Sequence, residues 1–318
     1  MIKHLFTRAA AALALGLGLG LVHAQEVNFG IVSTESSQSL KQNWQPLLDD
    51  LGRKTGLKVN AFFASDYAGV IEAMRFNKVQ LGWFGNKSAM EAVDRSNGEI
   101  FAKVITGDGT EGYYSHLIVH RDSPLKSVDD ILKNGKNLAF GNGDPNSTSG
   151  YLVPGYYVFA KNNIDPKTYF KVVRSANHEA NALAVANHQV DFATNNSENL
   201  DQLQRSFPEK AKEIRVVWTS PLIPSDPLVW RKDLAPEIKA KLKDFFLNYA
   251  KTDAHEKEVM HNLYKWVGFR ESSDAQLKPI RQLDLFSRRS KLEADTTVSD
   301  ADKKARLADI DKKLAELN

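Results

Sequence analysis

The sequence predicts an α/β protein of two lobes around a ligand cleft, with a helical C-terminal tail. Three observations carry this prediction. Short apolar strand-like runs alternate with helix-like runs in two successive blocks. A proline-punctuated passage, Ser220-Pro221-Leu222-Ile223-Pro224-Ser225-Asp226-Pro227, follows the second block and can carry the chain back to the first. Between a strand-like and a helix-like run stands Gly141 to Gly150, a glycine-rich turn with three consecutive hydroxyl residues.

Residues 1–24 read as a secretory signal peptide: Lys3 and Arg8, an apolar run from Ala9 to Val22, then Val22-His23-Ala24 as a small-residue cleavage site. The apolar run is short for a membrane span, and nothing downstream approaches the roughly 20 residues a transmembrane helix needs. No cysteine occurs in the 318 residues, so disulfides, thiolate metal sites and cysteine-linked lipid are excluded. An unanchored periplasmic protein is the simplest fit. Without Lys3 and Arg8 the chain carries 40 basic and 39 acidic residues, a balance that gives nucleic-acid or anionic-membrane binding no support.

In the first block, Val27, Phe29 and Ile31 alternate as in a strand, and Leu40, Trp44, Leu47, Leu48 and Leu51 share one helical face. Val59 to Phe63 reads as a strand, Val70 to Phe76 as a helix, Val79 to Phe84 as a strand and Ser88 to Arg95 as a helix, with a Gly85-Asn86 turn between the last two. Such alternation implies a mostly parallel sheet covered by helices, with ligands gathering beyond the carboxyl ends of the strands. Tyr67 falls at one of these strand-to-helix junctions.

Ser115 to His120 is a strand candidate, followed by the helix signal Ser127 to Leu132, and a second α/β unit begins there. It continues through strands at Phe170–Val173 and Val190–Thr194, a helix from about Glu179 to Asn187, and Val216 to Trp218. Glu237 to Lys251 is an amphipathic helix candidate. The expected division is a leader at 1–24, a first lobe from 25–119 and 220–286, a second lobe at 120–219, and a tail at 287–318. In the tail Leu307, Ile310, Leu314 and Leu317 follow 3-4-3 spacing, a short seam that suits either a helix laid on its own domain or a homodimer contact.

The Gly141–Gly150 run gives the expected ligand site. Two glycines and Asp144-Pro145 supply the turn, and Ser147, Thr148 and Ser149 supply helix N-cap chemistry. A helix N-terminus presents unsatisfied N–H groups and partial positive charge, so hydroxyls and amides together suit a tetrahedral oxyanion such as a phosphoryl group. A nucleotide P-loop is excluded, because Gly150 is followed by Tyr151 rather than Lys.

The assembled motifs resemble the phosphonate-binding periplasmic proteins of phosphonate ABC transporters. The resemblance spans the chain up to its tail. It rests on Asn28-Phe29-Gly30-Ile31 with Ser33-Thr34-Glu35-Ser36, Asp66-Tyr67-Ala68-Gly69, Met74 to Lys78, Ser88 to Arg95, Gly141 to Gly150, Leu152 to Asn163 and Ser220 to Pro224. It implies a two-lobe, type II periplasmic binding fold that closes on a phosphonate such as 2-aminoethylphosphonate and delivers it to a membrane permease. It implies Ser147, Thr148, Ser149, His178, Tyr67 and Tyr113 as phosphonate ligands, and Glu198 with Asp226 for the amine. Phe84 stands where the family has tyrosine and Ser225 where it has glycine. An anion nearby favours protonated His178.

Neither cofactor nor metal is implied. His178-Glu179 begins like a zincin motif, but Ala182 stands where the second histidine belongs. No nucleophile elbow with partners and no calcium-loop spacing occurs, so the expectation is a binding protein rather than an enzyme.

Overall fold

The computed structural model describes residues 25–107 and 110–317. The expected signal peptide, residues 1–24, lies outside them.

The first block is β1 (Glu26–Ile31), α1 (Ser37–Thr55), β2 (Lys58–Phe63), α2 (Tyr67–Arg75), β3 (Leu81–Trp83), α3 (Asn86–Arg95) and β4 (Gly98–Thr106). Local signals set these boundaries. Ser36 caps α1 by accepting from the Ser39 N–H, and Gly56, at φ 69°, ends that helix in the left-handed region. Asp66 caps α2 by accepting from the Gly69 N–H. The buried face of α1 holds Leu40, Trp44, Leu47, Leu48 and Leu51.

The chain then crosses through β5 (Gly112–Tyr113) into β6 (Ser115–His120), α4 (Val128–Asn134) and β7 (Ala139–Asn142). Two π-helical turns, Thr148–Leu152 and Gly155–Phe159, precede α5 (Pro166–Tyr169), β8 (Val172–Ser175), α6 (His178–Ala186), β9 (Phe192–Asn196), α7 (Ser197–Ser206), α8 (Pro208–Ala211) and β10 (Ile214–Thr219). It returns through β11 (Ile223–Pro224) to β12 (Pro227–Arg231), α9 (Pro236–Asn248), α10 (Ala254–Tyr264), β13 (Trp266–Glu271), α11 (Lys278–Ala294) and α12 (Asp300–Glu316).

Two sheets result, ordered β13-β4-β12-β3-β1-β2 and β10-β6-β9-β7-β8, and the crossing segments pair as a two-stranded β11-β5 ribbon. The sheets are mixed rather than mostly parallel. β1 runs parallel to β2 and β3, and β7 to β8 and β9, while every other pairing is antiparallel. Chain crossing explains the pairings of β6 and β12, which enter their sheets from the cleft and run against strands whose carboxyl ends face it; β13, which pairs antiparallel with β4, follows α10 instead. At the crossing, a Cβ on Gly112 would lie 1.9 Å from the Ile223 carbonyl oxygen, so only glycine allows this approach.

Aromatic clusters stiffen both lobes. Trp44, Trp83 and Trp266 are fully buried with ring centroids 5.3 to 5.9 Å apart in the first. In the second, Phe140 stacks on Phe192 at 4.5 Å and meets Phe159 and Phe170 edgewise or tilted at 5.3 Å, directly behind the hydroxyl loop. The tail seam packs within the chain: α12 lies on α11, burying Ile310 and Leu314. Among the described residues no helix is long and apolar enough to cross a membrane.

Candidate functional site

A small cavity lies where β1, β3, β7 and β9 end, between the two sheets. All eight residues singled out in the sequence line it: Tyr67, Tyr113, Ser147, Thr148, Ser149, His178, Glu198 and Asp226.

The hydroxyl loop is held by its own backbone. Pro154 has no N–H to give the Gly150 carbonyl four residues earlier, and the helix opens there into π turns. The Gly150 carbonyl instead accepts from the Gly143 N–H at 3.0 Å, which closes the loop on itself. A Cβ on Gly143 would sit 2.4 Å from that oxygen. Ser147 is the N-cap, its Oγ accepting from the Gly150 N–H at 2.9 Å. Thr148 Oγ1 accepts from the Lys87 N–H at 2.8 Å, reaching across to α3 of the other lobe. Ser149 Oγ accepts from Asn196 Nδ2 at 3.1 Å and lies 3.4 Å from His178 Nε2. Each hydroxyl oxygen thus receives a protein donor and still has its own hydrogen to give, to a ligand in the cavity or, in its absence, to the Tyr67 hydroxyl from Ser147 and to His178 Nε2 from Ser149.

His178 is the first residue of α6, capped by Asn177, and its carbonyl accepts from Asn195 Nδ2 at 2.9 Å. Burial pushes the imidazole down to about 4, so without an anion the ring is neutral. The protonated form expected from the sequence requires that an anion offset this burial. Tyr67 opens α2, with its hydroxyl in hydrogen-bonding reach of Ser147. Burial, then the charge of Asp144, raises its pKa and keeps it a donor.

The opposite end is acidic. Glu198 stands in the first turn of α7, and its Oε1 accepts from Trp266 Nε1 at 2.7 Å. Asp226, immediately before β12, accepts from Asn86 Nδ2 at 3.2 Å. Burial, reinforced by the Glu198 charge, raises the Asp226 carboxyl well above the usual carboxylate range. Tyr113, on the ribbon strand β5, shares a hydrogen bond with Asp226, and burial raises its pKa strongly. Its hydroxyl therefore adjoins the acidic end as well as the cavity.

Sequence reasoning missed Trp83 and Tyr264, which also line the cavity with ring centroids 5.6 Å apart, and Thr34, Gly85, Asn196 and Asn199. The Gly85-Asn86 turn was the available signal, since it repeats the glycine-asparagine start of the hydroxyl loop after an apolar strand. Phe84 and Ser225 are buried but line no part of the cavity.

The family described as "ABC transporter, phosphonate, periplasmic substrate-binding protein" matches residues 29–277. The chain belongs to this family. Members are substrate-binding components of transporters rather than enzymes, and periplasmic. The Phosphonates-binding periplasmic protein of Escherichia coli (strain K12) is 56% identical over 300 residues, 93% of this chain and 88% of that protein. A crystallised binding protein component of an ABC phosphonate transporter from Pseudomonas aeruginosa superposes with a TM-score of 0.91 at 54% identity, covering 93% of this chain and 97% of that one. A Prochlorococcus marinus protein solved with methylphosphonate shares the fold at TM-score 0.72 and 20% identity, over 81% of this chain and 97% of that one. As a phosphonate-binding protein, this chain has the α/β architecture of type II periplasmic binding proteins.

Proposed function

We propose that this phosphonate-binding protein captures aminoalkyl phosphonates of the 2-aminoethylphosphonate type by lobe closure and hands them to its membrane permease. The observation that carries the reading is the polarity of one cavity. Three pre-oriented hydroxyls at Ser147, Thr148 and Ser149, with His178 and Tyr67, face two acids, the buried Asp226 and the half-buried Glu198, and Tyr113 adjoins both. A phosphonate presents up to two charges and three acceptor oxygens to the first end. An ammonium at the second end adds a charged donor to the neutral ones these acids already hold, and a ligand without one cannot supply it. Charge-assisted hydrogen bonds contribute about 1.5 to 3 kcal/mol each, and closure, ligand immobilisation and desolvation consume much of the sum. Micromolar to nanomolar affinity follows, on the order of −8 to −12 kcal/mol.

The hydroxyl loop and Tyr67 belong to different sheets, so one ligand touching both favours the closed arrangement. Export through a cleaved leader at residues 1–24 completes the reading. The test is calorimetric titration of the mature protein, without metal, with 2-aminoethylphosphonate, methylphosphonate, phosphite and phosphate in parallel. Submicromolar binding of the aminophosphonate with the others much weaker is expected. Selective tight binding of phosphate or phosphite keeps the oxyanion cradle and overturns the amine site, and binding of none overturns the carrier reading.

A further inference from the structure

Two carboxylates outside the cavity lining join the lobes on either side of it. Glu179 follows His178 in α6 of the second lobe. Its Oε1 accepts from the Ser36 N–H at 3.2 Å and its Oε2 from the Ser39 hydroxyl at 2.9 Å. Its own N–H donates to the Thr34 carbonyl at 3.2 Å. Ser36 is the N-cap of α1 and Ser39 lies in its first turn, so a second-lobe acid sits on the N-terminus of a first-lobe helix. On the other flank Asp144, between β7 and Ser147, repeats the arrangement. Its Oδ2 accepts at 3.1 Å from the N–H of Tyr67, the first residue of α2. Helix N-termini concentrate unpaired donors and partial positive charge, which makes an acid there favourable.

Both contacts bridge elements of different sheets, so they exist only while the lobes are together. We infer that Glu179 and Asp144 act as clasps that set the population of the closed state and thereby scale the affinity for every phosphonate by one common factor. The inference rests on the lobe-closure reading above. A clasp that touches no ligand atom cannot tell one phosphonate from another. It changes the fraction of binding-competent protein, and the apparent dissociation constant moves inversely with that fraction. Glu179 and Asp144 are therefore positioning residues. Asp144 Oδ1 also accepts from the Asn146 N–H at 2.7 Å and shapes the hydroxyl loop, so Glu179 gives the cleaner test.

The experiment titrates wild-type protein, Glu179→Gln, Glu179→Ala, Ser39→Ala and the Glu179→Ala/Ser39→Ala double variant with 2-aminoethylphosphonate and with methylphosphonate. Small-angle scattering is recorded with and without saturating ligand. Glu179→Ala should weaken both ligands by the same factor, about threefold to tenfold for a half-exposed helix-terminal acid. Glu179→Gln and Ser39→Ala should give smaller common factors, and the double variant no more than Glu179→Ala, because the two side chains share one interaction. With saturating ligand every variant should scatter as the compact wild-type form does. A changed ratio between the two affinities overturns the inference, because it puts Glu179 into ligand recognition through His178. Unchanged affinity for both ligands overturns it equally. If wild-type protein binds neither phosphonate, the carrier reading itself fails and the inference falls with it.

Discussion

The indole N–H of Trp266 donates to Oε1 of Glu198 at 2.7 Å, joining the edge strand of the first sheet to a helix of the second across the cavity wall. The bond fixes one carboxylate oxygen and uses part of its acceptor capacity. Glutamine preserves that acceptor and removes the charge. Glu198→Gln should therefore weaken 2-aminoethylphosphonate by about tenfold to a hundredfold, the worth of one charge-assisted hydrogen bond, and leave methylphosphonate within a few-fold of wild type. Equal losses for the two ligands, read by calorimetry, remove Glu198 from amine recognition.

Thr148 Oγ1 is fixed by the Lys87 N–H, so its own hydrogen is oriented rather than free. Thr148→Val keeps the shape, deletes that donor and strands the Lys87 N–H. Both phosphonates should lose about tenfold to a hundredfold, in the same ratio, when titrated side by side. A loss confined to the aminophosphonate contradicts a role at the phosphonate end.

Asp226 is raised by burial and by the Glu198 charge, so the free site holds a proton on this pair above the usual carboxylate range. An ammonium between the two acids favours their ionised forms and expels that proton. Aminoethylphosphonate binding should therefore release more protons than methylphosphonate binding, by up to about one, and its affinity should rise as pH rises through the range in which the free pair titrates. Calorimetry in two buffers of different ionisation heat counts the protons. Equal counts for the two ligands leave no ammonium at the acids.

Glu35 adjoins two residues that line the cavity, following Thr34 and accepting from the Tyr264 hydroxyl at 2.6 Å, and it also accepts from Asn43 Nδ2 at 3.1 Å. Burial outweighs both bonds and raises it to about 7 from a reference of 4.5. Because the folded state holds a proton that the unfolded chain gives up, this stability is full below about 4.5 and is lost as pH rises to about 7. Between those limits wild type should lose on the order of 3 kcal/mol relative to Glu35→Gln, which cannot titrate. Urea unfolding of both proteins at pH 4.5 and 7.5 measures the difference, and parallel pH dependence assigns the titration elsewhere.

Gly112→Ala drives a methyl group into the Ile223 carbonyl in the ribbon where the chain crosses. The strands must part, at a cost of about 1 to 3 kcal/mol. Thermal unfolding should report the loss, and an unchanged melting temperature shows that the ribbon yields freely.

Much of the site was legible because its chemistry is local. Ser147 to Ser149 sit in one run bounded by glycines, and Tyr67, His178 and Glu198 each stand within two residues of a helix cap. Trp83 and Tyr264 were not legible, since an aromatic residue ending a strand or a helix reads as packing until tertiary structure puts its ring on a cavity. The π turns escaped for a related reason: the helix-like run after Gly150 contains Pro154, and only the Gly143–Gly150 contact reveals where the freed carbonyl goes. Strand direction was misread because alternation of strands and helices does not record from which end a crossing chain enters its sheet.

The position of β12 between β3 and β4 has a consequence for the order of assembly. All strands of the second sheet come from one stretch, residues 115–219, whereas the first sheet waits for a central strand that begins at Pro227 and an edge strand that begins at Trp266. Emerging amino end first, the chain presents β1 to β4 long before the strand that joins β3 to β4 exists. The lobe begun first is thus the lobe finished last, and the later, uninterrupted one can mature while its partner is still incomplete.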